Sequence, residues 1–452
     1  MAFELTQDYL DLLIEAIETH DDDFLRQTLD ELYPADISEL LYEFPNDEYA
    51  QYIITILDEE TAAQVINHLT PDWRGDFLKE FSTETVARYI AYLDSDDAAD
   101  ILNEQPARTK EEVLALLEDR EKARYIIDLL HYEEDSAGGL MAKELIKANI
   151  KWTVAQAVDE IRRQAEKVDK VHSVYVVDDN NILKGRVSLK KIVLSRASTK
   201  VADIYEDDVV SVDSHQSAEE VADIMQRYDL ESVPVVNVNS RLLGRITIDD
   251  IVDVITEQAE QDRQAMTGLS GDVEEDDTVW ASVRARLPWQ IIGMAGGLLA
   301  AWLTDMIGKP VLSVVGALAY FMTLIAGTGG NVGVQSSSVI LQSLANPSVV
   351  EQSVVRRLLK VFSIGLLNGA LLSMVLFLVI YGATRDFRLS LVVSVSILAV
   401  VLLASFMGTV TPLVLDRFGI NPAVASGPFI TTANDLLGLT VYFLTAKLLY
   451  SL

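Results

Sequence analysis

The chain has 452 residues, half of them apolar, with a formal net charge of −33 and no cysteine. This excludes disulfides and thiolate-held metal, and so acidic a chain lacks the basic patches that nucleic acid requires. The charge is lopsided: five acids and ten bases lie beyond residue 280, which leaves 64 acids and 26 bases, a net of −38, in the first 280. An acidic soluble half is joined to a nearly uncharged one. The natural partners of the acidic half are cations or basic segments rather than an anionic membrane surface. The N-terminal residues show neither a basic stretch nor a cleavage site, so no signal peptide is expected.

Residues 1–135 read as short amphipathic helices, for example within 34–45, 58–69 and 96–104, with apolar residues at three- and four-residue spacing and Asp, Ser or Thr at the starts. Loosely repeated helical hairpins of this kind predict a small superhelical domain. An internal repeat follows, in which Ser173–Val193 recurs as Ser232–Val252. Each copy reads as a buried strand, a polar turn, a second strand and the start of a helix, preceded by a helix at Thr153–Glu166 or Ser217–Tyr228. This α+β repeat resembles a CBS-domain pair, with copies at 136–199 and 200–257. The resemblance implies an ATP or other adenosyl-nucleotide site at Thr247 and Asp250, where a hydroxyl and an acid stand three residues apart. In the first copy Ser188 is followed by Lys191 instead of an acid. A dimerisation module that binds no nucleotide is the competing reading of the repeat.

A long acidic helix is expected from Asp249 to about Met266, within a connecting segment at 249–280. Asp250, Asp253, Glu257 and Glu260 fall on one stripe, where like charges repel and a divalent ion would relieve them. A solvated face is the usual fate of such a run, but this one leads directly toward the membrane. A Gly- and Asp-rich linker, 268–277, and the basic Trp280–Arg286 come next. Five apolar spans are expected at 288–307, 311–344, 361–382, 390–415 and 422–449, all within a membrane domain at 281–452. Arg284, Arg286, Arg356, Arg357 and Lys360 place the acidic half in the cytoplasm and the C-terminus outside.

Two spans carry polar groups. Asp435 sits near the centre of the last, where a carboxylate is costly and by default functional. No Lys or Arg occupies the interior of any other span. Helical spacing puts Gly427, Thr431, Asp435 and Gly438 on one face, as expected of a cation site in a pore, with helix packing as the bland alternative. In the second span Gly327, Asn331, Gln335 and Ser338 form a polar stripe expected to face Asp435. It is no phosphate loop, because the Lys-Ser/Thr ending is absent. All five histidines lie in the acidic half, so the spans offer no soft ligand. A hydrated Mg²⁺ suits one carboxylate with amide and backbone oxygens. No nucleophile–base constellation points to an enzyme.

The order of these parts, with the motifs Glu134–Met141, Gly327–Gln335 and Asn421–Asp435, resembles the MgtE family of magnesium channels over essentially the whole chain. The resemblance implies a homodimer in the bacterial inner membrane with a pore on its twofold axis. Its metal site would be built from Asp435, Asn331, Gln335 and Thr431. Regulatory Mg²⁺ would bind Asp96, Glu219, Asp229, Asp250, Asp253 and Asp262, closing the pore through the connecting (plug) helix. Gln64, Ser217, Gln258 and Gln261 stand where the family often has acids, and Glu257 and Glu260 are neighbouring substitutes. Asn421 replaces an acid, and Gly427 stands where an Asn can line the pore. The expected function is a Mg²⁺-selective importer closed by intracellular Mg²⁺. Its alternatives are an ion-coupled transporter or exporter of Mn²⁺, Co²⁺ or Mg²⁺, and a membrane-anchored nucleotide sensor without a pore.

Overall fold

A computed structural model describes residues 6–165, 173–269, 278–344, 354–425 and 427–451. The expectation about the extreme N-terminus and most of the 268–277 linker lie outside the described residues. The chain forms two compact units, residues 1–254 and 255–452.

The first unit opens with short helices running from Gln7 to Leu129. Their starts are fixed locally: the side chains of Asn46, Asp58, Ser82 and Asp119 each accept a backbone N–H from the first turn that follows. Their apolar faces share one core with residues of the second repeat, among them Leu40, Ile53, Ile101, Val233 and Ile246. The repeat is built as expected. In the first copy β1 (Ile146–Asn149) pairs parallel with β2 (Val174–Val177), which pairs antiparallel with β3 (Leu183–Val187). In the second, β4 (Val212–Asp213), β5 (Ser232–Val236) and β6 (Leu242–Thr247) repeat that order. The register shift at Val176/Val177 recurs at Val235/Val236, and the left-handed turn residue Asn181 recurs as Ser240. The two turns also bond each other: Leu183 donates to the Ser240 carbonyl and Leu242 to that of Asn181, both at 2.9 Å.

Five helices are long and apolar enough to cross a membrane: Val279–Val314, Gly316–Leu344, Arg356–Thr384, Phe387–Arg417 and Pro428–Tyr450. Two expected boundaries are corrected. Residues 311–314 belong to the first span, which continues from Leu303 through a wider turn at Thr304–Gly308; the break comes at Val315, whose φ of −130° and ψ of 77° are not helical. The last span starts at Pro428 rather than 422, because Pro422–Ala425 forms a separate short turn and Pro428 is suited to a helix's first position. The fourth span is the most enclosed and packs against the second, third and fifth. The third exposes Leu367, Met374, Leu378 and Val379, an apolar face fit for lipid. Tyr442, fully buried, donates to the Leu318 carbonyl at 2.8 Å and anchors the fifth span to the start of the second.

Candidate functional site

Among the described residues two carboxyl groups have a buried oxygen that meets no hydrogen-bond donor, Asp96 in the first unit and Asp435 in the second. Asp96 lies in the first turn of the helix Ser95–Asn103, together with Asp97, where the helix N-terminus favours negative charge. The turn is held by a distant residue: the backbone N–H and hydroxyl of Ser95 donate to Glu144, at 3.1 and 2.6 Å, and the Lys143 N–H returns a bond to the Ser95 hydroxyl at 3.0 Å. A cavity of about 290 Å³ is lined there by Gln64, His68, Asp96, Asp97, Asp249 and Asp250, with Arg245 and Thr247.

The acids of this cavity crowd one another, and the one guanidinium in its lining, Arg245, lies 3.8 Å from Asp94. Burial, then Asp97, Asp250, Asp94 and Glu144, push the Asp96 carboxyl well above the ordinary range. Burial likewise raises Asp97, although the Asn67 side chain opposes it. Asp100 is pushed up to about 7, chiefly by burial and then by Asp97. Burial lifts Asp250 to about 6 against its bonds from Thr247. Lys122, itself lowered by burial, is tied to the carbonyls of Ala91 and Leu93, so it does not neutralise the cluster by a direct ion pair. Among the described residues no three acidic or imidazole groups converge closely enough to ligate one metal ion directly. The orphaned Asp96 oxygen and the crowded acids fit a cation held through its water shell, as Mg²⁺ commonly is.

The other expected regulatory acids divide by position. Glu219 is exposed in the first turn of the helix Ala218–Arg227, and Asp229 is exposed on left-handed backbone with φ 49°. The connecting helix runs from Ile248 to Thr267. Asp253 and Glu257 lie on its exposed side, Glu257 accepting from Gln261 at 3.1 Å, and Glu260 pairs with Arg263 at 2.5 Å. Thr247 and Asp250, expected to meet a ribose, bond each other: the Thr247 N–H and hydroxyl donate to Asp250 at 3.0 and 2.9 Å. They cap the connecting helix in the manner of a capping box. Ser188 does the same for the helix Leu189–Leu194, accepting the Lys191 N–H.

In the second unit the end of the connecting helix lies against the start of the fifth span. Asn421 donates from its amide nitrogen to Asp262 at 3.0 Å, and its amide oxygen accepts the Ala423 N–H at 2.8 Å, which fixes the amide's orientation. A Cβ on Gly427 would strike the Met266 carbonyl, and one on Gly268, at φ +81°, would lie 2.6 Å from the Pro428 ring. A glycine at 427 is thus what admits the helix end.

Asp435 is half-buried, with no cationic partner among the described residues and one oxygen unbonded. The second span opposite it offers Gly330, where a Cβ would sit 3.2 Å from the carboxylate and 3.1 Å from the Thr431 methyl. The expected stripe does not face it within one chain. Asn331 and Gln335 are exposed, and a Cβ on Gly327 would meet nothing within 4 Å. Of the expected face on the fifth span, Gly438 packs against Val400 of the fourth, Gly427 caps the helix, and Thr431 bonds the Gly427 carbonyl at 3.3 Å. Sequence reasoning passed over Asn434, which is buried beside Gly333; its place next to Asp435 in an apolar span was the available signal.

Comparison with known proteins finds matches in both units. Residues 322–445 match a family model described as a divalent cation transporter, 32–135 the MgtE intracellular N domain, and 137–197 and 201–257 CBS domains. The chain is 34% identical to the magnesium transporter MgtE of Thermus thermophilus over 97% of both chains, and 30% identical to that of Bacillus subtilis over 92% of both. The crystal structure of the cytosolic domain of the Mg²⁺ channel MgtE in complex with ATP is 34% identical, with a TM-score of 0.51, and covers 54% of this chain and 99% of that one. With five candidate spans behind an intracellular N domain and a CBS pair, the chain belongs to the MgtE family of magnesium transporters.

Proposed function

We propose that the chain is a Mg²⁺-selective channel of the bacterial cytoplasmic membrane, working as a homodimer, that imports Mg²⁺ and is closed by intracellular Mg²⁺. Asp435 carries this reading: an unpaired, half-buried carboxylate in a membrane-crossing helix opposite a glycine. A single carboxylate per chain is a weak site for a fully dehydrated ion, but two copies on a twofold axis suit an ion that keeps much of its water. Thr431, one helical turn before it, is the hydroxyl of the proposed site, although here it bonds the Gly427 carbonyl. Asn331 and Gln335, exposed at membrane depth, call for a second copy or a water-filled path, since lipid cannot satisfy them. A negative interior potential of 100 mV favours inward movement of a doubly charged ion by about 4.6 kcal/mol, so import needs no coupled ion.

Closure follows from the acidic half. Mg²⁺ entering the Asp96–Asp97–Asp250 cluster, with Asp253, Glu257, Glu260, Glu219, Asp229 and Asp262 as further acids, removes repulsion and holds the connecting helix over the mouth at Asn421 and Gly427. When Mg²⁺ is scarce, the repulsion returns and the mouth opens. We assign 1–135 to the helical domain, 136–199 and 200–257 to the CBS copies, 249–280 to the connecting segment and 281–452 to the membrane domain. Five spans and the basic residues beside them support N-terminal domains in the cytoplasm and a C-terminus outside. The CBS pair is the candidate ATP site, by analogy with the ATP-bound relative, although Thr247 and Asp250 are engaged in capping.

The test is Mg²⁺ flux into proteoliposomes driven by an imposed potential. The wild type should conduct without a Na⁺ or H⁺ gradient and Asp435→Ala should not. Undiminished flux through Asp435→Ala would remove the assignment, and a strict need for a second ion gradient would turn it into coupled transport.

A further inference from the structure

Among the described span residues whose buried polar atoms lack a hydrogen-bond partner, Asn434 stands directly beside Asp435, and coordination by Asp435 leaves it unexplained. Asn434 is 2% exposed and its amide nitrogen meets no hydrogen-bond partner. It is aimed at the second span where that helix has no side chain: a Cβ on Gly333 would overlap the Asn434 amide and lie 3.2 Å from Ile430. The fourth span closes the same place from another side, for a Cβ on Gly408 would run into the Gly333 carbonyl and come within 2.9 Å of the Ser336 Cβ. Along the same seam Val400 fills the space at both Gly329 and Gly438. Three helices therefore meet on glycines, with the Asn434 amide as a wedge between them.

Such a wedge is an expensive choice for packing alone. An unbonded amide in an apolar seam is costly, and an aliphatic side chain of similar size would fill the notch without that cost. What distinguishes the position is its neighbour. Asp435 follows directly, about 100° further round the helix, and faces Gly330, one turn from Gly333 on the second span. A wedge at Asn434 sets the rotation of the fifth span, and that rotation sets where the carboxylate points. Mg²⁺ demands near-ideal octahedral geometry, so a shift of about 1 Å is enough to matter.

We propose that Asn434, seated in the notch left by Gly333, is a positioning residue that fixes the rotation of the fifth span and so sets the preference of Asp435 for Mg²⁺ over larger divalent ions. The inference rests on Asp435 as the permeation site. The measurement is the ratio of Mg²⁺ to Mn²⁺ flux in proteoliposomes of the full-length chain, with thermal stability in detergent alongside. Asn434→Ala empties the notch and Gly333→Ala displaces the amide, and each should lower the ratio at least fivefold. The double variant moves the lost volume from one helix to the other and should return the ratio to within about twofold of wild type. A purely structural role predicts lower stability and lower flux for both ions in proportion, with the ratio unchanged; that result overturns the proposal, as does a double variant no better than the worse single one. If Gly333→Ala does not insert, Asn434→Ala and the double variant carry the comparison. Asp435→Ala separates the two readings: continued flux through it removes the permeation site itself. Its loss of flux together with an unmoved ratio in the Asn434 variants removes only the positioning role.

Discussion

Asp96 and Asp435 are the same chemical group in the same predicament, each with a buried oxygen that no donor meets, yet their surroundings are opposites. Asp96 is crowded by Asp94, Asp97, Asp250 and Glu144. Asp435 stands alone beside glycine and threonine. A crowd of acids binds a cation collectively, and several groups change state together when it leaves, which suits a sensor. A solitary carboxylate holds an ion only loosely, which suits an ion that must move on. On the proposed function, the membrane half keeps its charge sparse to conduct, and the N-terminal half concentrates charge to respond.

The largest expected effect tests the solitary site. Asp435→Asn keeps the shape and removes the charge, and should reduce Mg²⁺ flux at least 100-fold in proteoliposomes. The same variant should leave Mg²⁺ protection of the cytoplasmic half from limited proteolysis unchanged. Loss of both would show that the two carboxylates are not independent.

The converse change is Asp96→Asn. It removes one charge from the cluster and supplies an amide donor to neighbouring carboxylates, so without Mg²⁺ the variant should be more stable than wild type by about 1–3 kcal/mol in urea denaturation. The Mg²⁺ concentration that protects the cytoplasmic half should rise roughly tenfold, while Mg²⁺ flux persists. A destabilised variant with an unaltered Mg²⁺ response would mean that Asp96 is structural.

A smaller effect is expected with pH. Asp250 and Asp100 have folded pKa values of about 6 and about 7 against an ordinary 3.8, so in this range the folded state holds protons that the unfolded chain has released. Their contribution to stability is full below about pH 4 and is lost as pH rises through 6 and 7. In EDTA the melting temperature of the cytoplasmic half should therefore fall between pH 5 and pH 8. In millimolar Mg²⁺ the fall should be much shallower, because the ion replaces the protons. Parallel curves with and without Mg²⁺ would place the ion elsewhere.

Much of this was legible in the sequence, for a definable reason. Apolar length marks spans, and the recurrence of Ser173–Val193 as Ser232–Val252 marks a duplicated unit whose bulges and left-handed turns recur in step. Asp435 was conspicuous because burial of a charge in a span is costly wherever its neighbours lie. What one helix's periodicity does not report is rotation relative to another helix. Gly327, Asn331 and Gln335 make a real stripe, but Gly330 and Gly333 are the residues that face the fifth span. The Thr247–Asp250 spacing that resembles a ribose contact equally makes a helix cap, and spacing alone does not separate the two.

The smallest predicted effect lies where the connecting helix meets the mouth of the fifth span. The Asn421–Asp262 bond needs no ion, whereas two acids at these positions would repel unless a cation or a proton lay between them. The Asn421 amide is held in orientation by the Ala423 N–H, so the bond is preorganised. A partly exposed hydrogen bond to a carboxylate is worth about 1 kcal/mol, or roughly fivefold in a two-state equilibrium. Asn421→Ala should raise Mg²⁺ flux at low cytoplasmic Mg²⁺ by that factor, and full closure at high Mg²⁺ should remain, because the cluster around Asp96 is intact. Asn421→Asp should behave differently. With a second carboxylate facing Asp262, the mouth should open more readily in EDTA and close over a narrower range of Mg²⁺. Equal titration curves for the Ala and Asp variants would show that this contact does not contribute to closure.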